Sequence, residues 1–242
     1  MARKATTESE AAAKKTARRS GAAVSENRLR KVEERRRQIF SGALLCFELK
    51  GYHETTINDV AEAAGVSSGL IYQYFNDKRD VLFQVILEIL EAYNRDLPGA
   101  ISRYTEPLDR LQAAAIAYFS VIDKRIGATL LSYRETKLLD RDQIKTLKAK
   151  ELQTNDLILQ CVQQCIDQGL SDTNDAELTT YSFITSAHMW ALKNWRLREI
   201  CTHRDYTVRT ISMILEYLLN DKGKAAWAES NLLADWKPKR GS

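Results

Sequence analysis

Polar and aromatic side chains follow one another closely in the first third of the chain, where their types suit contact with a nucleic acid. Gln73 carries an amide that can make a paired hydrogen bond to an adenine edge, and Ser68, Tyr72 and Tyr74 carry hydroxyls that can bond to base edges or phosphates. Gly69 has no side chain, so the backbone there can come close to a duplex. This segment therefore predicts a surface that reads double-stranded DNA.

Two short helices are predicted to hold these side chains. The first runs from Ile57 to Ala64, and either Thr55 or Thr56 can cap its start. Gly65 breaks the chain, and the second helix runs from Ser67 to Phe75. Two helices of this length joined by a tight turn have the size of a helix-turn-helix, whose second helix enters the major groove.

The second helix has one face for packing and one for display. Ile71 and Phe75 lie four residues apart, so they are expected to be buried together against the first helix. This packing turns Gly69 and Gln73 outward.

Residue types that carry out other chemistry do not form a site in the sequence. The four cysteines include no Cys-x-x-Cys pair, and Cys161 and Cys165, four apart on one helix face, lack a nearby His or third Cys to complete a metal site. No Gly-rich phosphate loop, nucleophile elbow or His-Glu-x-x-His motif occurs. We therefore expect no enzyme activity, no cofactor and no metal.

Positive charge is concentrated at the N-terminus. The net charge of the chain is +4, whereas residues 1–37 hold twelve Lys or Arg and five Glu, which gives a local charge of +7. Residues 1–30 are predicted to be a disordered basic arm that either meets phosphates or only solubilises the chain. No apolar run reaches the roughly 18 residues that span a bilayer, and no signal peptide is found, so we expect a cytoplasmic protein without a membrane partner.

Helical periodicity without an alternating strand pattern predicts an all-α fold. We expect a first helical domain at residues 31–80, a second at 81–222 and a tail at 223–242. The predicted helices run from Val32 to Gly51, through the two short helices to a longer one that ends near Pro98, and then from Pro107 past Ile122, from Ala128 to Leu139, from Arg141 to Gln168, from Asn174 to Ile200 and from Tyr206 to Asn220, with a frayed turn around Trp227.

The segment GYHETTINDVAEAAGVSSGLIYQYFNDKRDVL, residues 51–82, strongly resembles the DNA-binding domain of the TetR family of one-component repressors. The match extends from about Arg36 to Leu90 and includes Phe-x-x-x-Gly-Tyr, Thr-Thr-Ile, Val-Ala-x-x-Ala-Gly-Val-Ser and Ile-Tyr-x-Tyr-Phe-x-x-Lys. The resemblance implies that residues 31–80 form a three-helix DNA-binding domain, or head. It also implies that residues 81–222 form a ligand-binding and dimerisation domain, and that the protein releases the operator when an inducer binds there. By position, the family's DNA-contacting residues correspond here to Thr56, Asn58, Ser68, Gly69, Leu70, Tyr72, Gln73, Tyr74 and Lys78. Many members have Lys where Ser68 stands, which leaves the operator sequence open.

A regulator of this kind needs a cavity among its C-terminal helices, lined by apolar and aromatic side chains with a few polar ones. Candidates by type are Tyr118, Phe119, Leu131, Tyr133, Arg134, Phe183, His188 and Trp190. For His188 the alternative is a core or dimer-interface histidine. The segment 131–139 is similar to the acyl-CoA-responsive branch of the family, in which Arg134 would pair with CoA phosphates. Arg134 can equally pair with Glu135, Glu151 or a carboxylate of another helix. A hydrophobic drug or small aromatic compound is the competing inducer.

The last two predicted helices each carry a continuous apolar stripe, which predicts a homodimer built from four helices. The stripes consist of Leu178, Tyr181, Thr185, His188, Leu192 and Trp195 in the first helix, and of Val208, Ile211, Leu215 and Leu218 in the second. The alternative from a different class is a helical adaptor, which would show no salt-dependent binding to duplex DNA.

Overall fold

The structure, a computed structural model, describes residues 30–236, which form helices and no strand. The all-α prediction is confirmed. These residues divide into an N-terminal unit that ends at Lys78 and a C-terminal unit that begins at Arg79. Residues 1–29 of the predicted basic arm lie outside the described residues.

Three helices build the N-terminal unit: α1 at residues 30–54, α2 at Ile57–Ala64 and α3 at Ser68–Ile71. The buried face of α1 follows the helical period and consists of Ile39, Ala43, Cys46 and Phe47.

Close packing of α1 on α2 depends on a glycine. A Cβ at Gly42 would come within 2.7 Å of the backbone nitrogen of Ala64, nearer than real Cβ atoms approach other atoms. Gly42 therefore lets the two helix backbones meet.

The C-terminal unit is helical throughout its described part. Its helices are α4 (Lys78–Ile101, which starts at the last residue of the N-terminal unit), α5 (Pro107–Lys124), α6 (Ile126–Glu135, followed by a 3₁₀ turn at Thr136–Leu138), α7 (Arg141–Asp167), α8 (Ala176–Leu192), α9 (Asn194–Ile200), α10 (His203–Leu218), α11 (Asp221–Glu229) and α12 (Leu232–Asp235). α5 is the central helix, because it is buried along most of its length and packs against α7, α8 and α10.

α4 continues three residues beyond Pro98, where the sequence predicts its end. Proline lacks an N–H and normally disrupts a helix interior. Here it lies in the last turn, where one missing hydrogen bond costs least. Leu97 and Ile101 are buried on either side of it and hold the turn in place.

The predicted helix from Asn174 to Ile200 is two helices. Lys193 leaves the helical conformation with φ −115° and ψ 23°, so α8 ends at Leu192 and α9 begins at Asn194. Trp195 is consequently 72% exposed and does not continue the stripe of α8. Periodicity alone did not reveal this break because no Gly or Pro marks it.

Residues 221–236 form two short helices rather than the single frayed turn that the sequence predicts around Trp227. α11 contains Trp227, and the Ser230 hydroxyl that follows it donates to Asp109 on α5 at 2.6 Å. Gln112 of α5 donates to the same hydroxyl at 3.1 Å. These contacts fix the described part of this segment to the central helix.

Candidate nucleic-acid interface and effector cavity

The turn between α2 and α3 is specified by capping residues. Thr56 accepts a hydrogen bond from the Asp59 backbone N–H, while the Asp59 carboxylate accepts one from the Thr56 N–H at 2.8 Å, a reciprocal capping box. Gly65 ends α2 in the left-handed conformation, with φ 64°, which glycine adopts without a steric penalty. Ser67 then caps α3 by accepting from the Leu70 N–H at 3.2 Å.

α3 is shorter than the predicted Ser67–Phe75 helix, but its faces are as expected. Residues 72–75 continue as turns, with Gln73 N–H donating to the Leu70 carbonyl and Phe75 N–H to that of Ile71. Ile71 and Phe75 are buried, at 0% and 7% exposure. The opposite side of the segment is therefore free for contact with a ligand.

The exposed side of this segment carries Gly69, Tyr72 and Gln73. Tyr72 is 59% exposed, which is unusual for a large aromatic side chain. A Cβ added at Gly69 would meet nothing within 4 Å, so the backbone is open there. Leu70 and Tyr74 are half-buried at its edges.

Ser68 and Asn58 hold the two short helices together. The Ser68 hydroxyl donates to the side-chain oxygen of Asn58 at 2.6 Å. Both residues were predicted to contact DNA, and the structure brings them side by side. In this arrangement Ser68 uses its hydrogen on Asn58, so toward DNA it offers lone pairs.

Lys78 closes the C-terminal end of α1. Its ammonium donates to the carbonyl oxygens of Tyr52, His53 and Thr55 at 2.8, 3.1 and 2.7 Å, and it lies 4.5 Å from the centre of the Tyr52 ring. Three donors meet three carbonyls that have no helical partner beyond the helix end. The structure thus gives Lys78 a structural role, and its predicted phosphate contact stays a prediction.

Two polar contacts near this end of α1 were not anticipated from the sequence. Thr55 is fully buried, and its hydroxyl donates to the Gly51 carbonyl at 2.7 Å rather than capping α2. Lys50 forms a 2.6 Å ion pair with Asp59. The hydrogen bond from Lys50, followed by those from Thr56, holds the pKa of the Asp59 carboxyl well below its ordinary value.

A cavity of about 360 Å³ lies within the C-terminal unit, among α4, α5, α6, α7 and α8. Its volume is at the lower end of the range for small-molecule sites. Its walls consist of Ile86, Ile89, Leu90, Tyr93, Tyr118, Thr129, Ser132, Tyr133, Thr136, Ile144, Leu147, Lys148, Glu151 and His188.

Three of the eight predicted ligand residues, Tyr118, Tyr133 and His188, line this cavity. The other five do not: Phe119, Leu131 and Phe183 are buried core residues, Arg134 is exposed on α6, and Trp190 is buried with its indole N–H donating to Asp123 at 2.9 Å. Residue type suggested all eight equally, and only the packing of the helices separates them.

His188 is the polar centre of the cavity. Its Nε2 lies 3.0 Å from the Tyr118 hydroxyl, and its Nδ1 lies 2.8 Å from the Tyr133 hydroxyl. Burial lowers the pKa of His188 to about 4, so its imidazole is neutral at neutral pH. Burial also raises the pKa of Tyr118 well above its ordinary value, so this hydroxyl keeps its proton.

Several polar lining residues were missed by the sequence analysis. Tyr93 is one of them, and its hydroxyl is buried without a hydrogen-bond partner of ordinary geometry among the described residues. Glu151 lines the cavity, and partial desolvation raises the pKa of its carboxyl. The available signal was that Glu151 follows Leu147 and Lys148 on one face of α7, which mixes apolar and charged residues.

A second cleft, of about 800 Å³, is bordered by the last turns of α4, by α5 and by α12. Its positively charged residues Arg95, Arg103 and Lys124 are exposed, and Asp96 and Asp123, which also line it, are half-buried. Tyr118 points into the smaller cavity, whereas Ala113, Ile116 and Ala117 of α5 line this cleft. The smaller cavity, whose aromatic walls include the buried Tyr93 and Tyr118, is better suited to an apolar molecule.

Large apolar side chains are exposed on α8 and α10. Leu178 and Met189 of α8 are 64% and 42% exposed, and Met213 and Tyr217 of α10 are 67% and 92% exposed. Leu215, which the sequence stripe includes in the interface, is instead fully buried within the chain. On α10 the exposed apolar side chains are therefore Met213 and Tyr217, each two residues further along the chain than the buried Ile211 and Leu215 of the predicted stripe.

Comparison with known proteins gives matches over both units. Residues 39–85 match the family described as bacterial regulatory proteins, tetR family, and residues 104–216 match the tetracyclin repressor-like C-terminal domain. The HTH-type transcriptional regulator HbdR of Aromatoleum sp. is 39% identical over 198 residues, which cover 82% of this chain and 86% of that protein. The HTH-type transcriptional repressor KstR2 of Mycobacterium tuberculosis is 25% identical, over 68% of this chain and 82% of the repressor.

A solved structure with a similar fold is that of AibR in complex with isovaleryl coenzyme A and operator DNA. The similarity has a TM-score of 0.62 at 17% identity and covers 74% of this chain and 97% of AibR. The relatives named above are transcriptional regulators, which are DNA-binding proteins rather than enzymes. Among residues 30–236, no helix is long and apolar enough to cross a membrane.

Proposed function

Because the chain belongs to the TetR family of bacterial transcriptional regulators, we propose that it is a ligand-responsive repressor. It binds palindromic operator DNA as a homodimer, and a small-molecule inducer releases it. The DNA contact, the dimer and the effector site are each supported by a different part of the chain.

The observation that carries the DNA-binding role is the two-sided packing of α3. Ile71 and Phe75 anchor the segment in the core of the N-terminal unit, which leaves Gly69, Tyr72 and Gln73 exposed together. An amide and a phenol beside an open glycine are suited to base edges and phosphates in a major groove. Thr56, Asn58, Ser68, Leu70 and Tyr74 lie around them as further proposed contacts.

The exposed apolar side chains of α8 and α10 support a homodimer. Leu178, Met189, Met213 and Tyr217 leave an apolar surface that a second copy would cover. Two helices from each copy would form a four-helix interface with twofold symmetry. Such a dimer places two recognition segments on the two halves of a palindrome.

α4 offers a physical route from effector to operator. Its residues Ile86, Ile89 and Tyr93 line the cavity, and its first residue, Lys78, closes the end of α1. An effector that binds one arrangement of α4 more tightly than another shifts the population toward the arrangement it prefers. If that arrangement fits the operator less well, the repressor is released.

Two inducer classes fit the cavity. An acyl-CoA thioester is supported by the similar fold of AibR, which binds isovaleryl coenzyme A. A volume of about 360 Å³ has room for an acyl or aryl group but not for the nucleotide, which would stay outside. Arg134, exposed beside Tyr133, is then available for CoA phosphates. The alternative is a hydrophobic drug or small aromatic compound that is held entirely inside.

The proposed function is tested by selecting duplexes from a random pool with the purified protein. We expect recovery of a palindrome whose half-sites lie about one helical turn or somewhat more apart. Native mass spectrometry of protein purified from its own host would then identify a co-purified inducer. A helical adaptor would instead enrich no sequence and show no salt-dependent duplex binding.

A further inference from the structure

The two ring nitrogens of His188 are both occupied by tyrosine hydroxyls. Tyr118 lies at Nε2 and Tyr133 at Nδ1, at 3.0 and 2.8 Å. A neutral imidazole has one N–H and one lone pair, so it donates to one hydroxyl and accepts from the other. One tyrosine therefore keeps its own O–H hydrogen for another acceptor.

The surroundings of Tyr118 decide which tyrosine this is. Tyr118 is 3% exposed, and its ring stacks on that of Tyr93 at 4.2 Å. The Tyr93 hydroxyl has no hydrogen-bond partner of ordinary geometry among the described residues, although burial and then the nearby Tyr93 hydroxyl together raise the pKa of Tyr118. The hydrogen bond of ordinary geometry that the Tyr118 hydroxyl makes is the one to Nε2 of His188, at 3.0 Å. A buried hydroxyl that fails to donate is costly, so Tyr118 donates to Nε2. The imidazole proton then lies on Nδ1 and is donated to the Tyr133 oxygen.

The hydroxyl hydrogen of Tyr133 is consequently available to a ligand. Tyr133 lines the cavity and is 54% exposed, so a molecule that enters can reach it. The neighbouring hydroxyls of α6 and of the 3₁₀ turn that follows it cannot replace it, because those of Thr129, Ser132 and Thr136 donate to backbone carbonyls one turn earlier. Toward the cavity these three oxygens offer lone pairs, whereas Tyr133 offers a directed donor.

The charges of the lining favour a neutral acceptor. Lys148 and Glu151 are the charged residues of the lining, and both are partly open to solvent. A carboxylate beside Tyr133 would meet Glu151 as well as Lys148 and would gain little net attraction. A carbonyl oxygen accepts a hydrogen bond without bringing a charge into the apolar cavity.

We propose that Tyr118, His188 and Tyr133 form a hydrogen-bond relay that presents the Tyr133 hydroxyl to a neutral carbonyl oxygen of the effector. The effector class is thus an uncharged carbonyl compound, such as a thioester, ester or ketone, rather than the corresponding free acid. That the bound molecule acts as an effector rests on the proposed function, whereas the relay is a property of the cavity.

The binding test uses three probes of nearly equal shape: acetophenone with a carbonyl, α-methylstyrene with a methylene in its place, and benzoate with a carboxylate. Calorimetric titration of the DNA-free protein is expected to give acetophenone about tenfold tighter binding than α-methylstyrene, with benzoate weakest. Tyr133→Phe should remove the preference for acetophenone and leave α-methylstyrene unchanged. Tyr104→Phe, outside this cavity, is the matched control.

The tautomer of His188 gives a readout that needs no ligand. Long-range ¹H–¹⁵N spectra at neutral pH are expected to show the proton on Nδ1, and Tyr118→Phe should allow the Nε2–H form to appear. A proton on Nε2 in the unaltered protein would overturn the relay, as would equal binding of acetophenone and α-methylstyrene. Duplex selection is measured separately, so a protein that selects an operator but fails these tests disproves the relay and leaves the repressor role intact.

Discussion

The ammonium nitrogen of Lys78 lies 2.7 Å from the carbonyl oxygen of Thr55, so the first residue of α4 is hydrogen-bonded to the chain that leaves α1. The same ammonium donates to the carbonyls of Tyr52 and His53. Lys78→Met should keep the aliphatic stem but remove these bonds. We expect the free energy of unfolding to fall by about 1 to 3 kcal/mol, because several carbonyls lose a charged donor.

Urea unfolding followed by circular dichroism measures this change, with the exposed Lys145→Met as the control. From the sequence alone, Lys78 is predicted to contact a phosphate, and its removal would then weaken binding to all duplexes alike. Unchanged unfolding together with a salt slope reduced by about one unit would support that role against the structural one.

The stability of the protein should depend on pH through His188. In the folded protein the pKa of the His188 imidazole is about 4, whereas a histidine in the unfolded chain has a pKa of about 6.5. The unfolded state therefore holds more protons between these values. Stability is fully present above about pH 6.5 and is lost on acidification, by on the order of 2 to 3 kcal/mol.

His188→Gln should flatten the dependence of unfolding free energy on pH between about 4 and 6.5. Burial also lowers the pKa of His203, so part of the slope should remain. His53→Gln, at an exposed position, provides the comparison. An unaltered slope in His188→Gln would mean that the pKa of His188 is the same in the folded and unfolded states.

The dimer surface is tested with Met213→Lys. Met213 is 67% exposed, so the substitution should leave the fold intact while placing charge on the apolar surface of α10. Sedimentation should then give the monomer mass of 27.6 kDa, and operator affinity should fall because the two heads no longer bind together. Lys145→Glu is a control for added charge elsewhere. A wild-type protein that sediments as a monomer would contradict the proposed assembly.

The basic arm, residues 1–30, is tested by deletion. If the arm follows phosphates, its loss should lower affinity and flatten the dependence of log K on log salt while sequence preference remains. Fluorescence anisotropy at several salt concentrations measures both. An unchanged slope would identify the arm as a solubilising segment.

Local sequence signals predicted the fold well where one residue decides the outcome. Gly65 ends α2, and the four-residue spacing of Ile71 and Phe75 gave the faces of α3. Local sequence signals failed to predict helix ends where the packing of neighbouring residues determines them. Pro98 is held inside α4 by buried neighbours, and Lys193 breaks a helix although its residue type does not mark a break.

The effector cavity was predictable only in part for the same reason. Tyr118, Tyr133 and His188 come from three different helices, and their hydrogen bonds join residues 55 and 70 positions apart. Residue types suggested which aromatic and polar side chains line a cavity, but they did not predict which of these side chains are hydrogen-bonded to each other. Leu215 illustrates the same difficulty for the dimer surface. It belongs to an apolar stripe that the sequence predicts to face a second copy, yet it is buried within its own chain.

Reading of operator bases by Gln73 tests the central claim most directly. Gln73 is exposed opposite the packed face of α3, so Gln73→Ala should stay folded. It should lose about 1 to 3 kcal/mol on the selected operator and relax discrimination at one position in each half-site, because its amide can pair with adenine. The exposed Gln153→Ala, in the C-terminal unit, is the matched control.

The measurement is a competition titration of the Gln73→Ala variant against selected and scrambled duplexes at two salt concentrations, with circular dichroism to verify folding. The account predicts loss on the selected operator with scrambled binding unchanged. Equal loss on both duplexes would remove Gln73 as a base reader. Unchanged binding in folded variants of Gln73, Tyr72 and Ser68 alike would contradict α3 as the recognition helix.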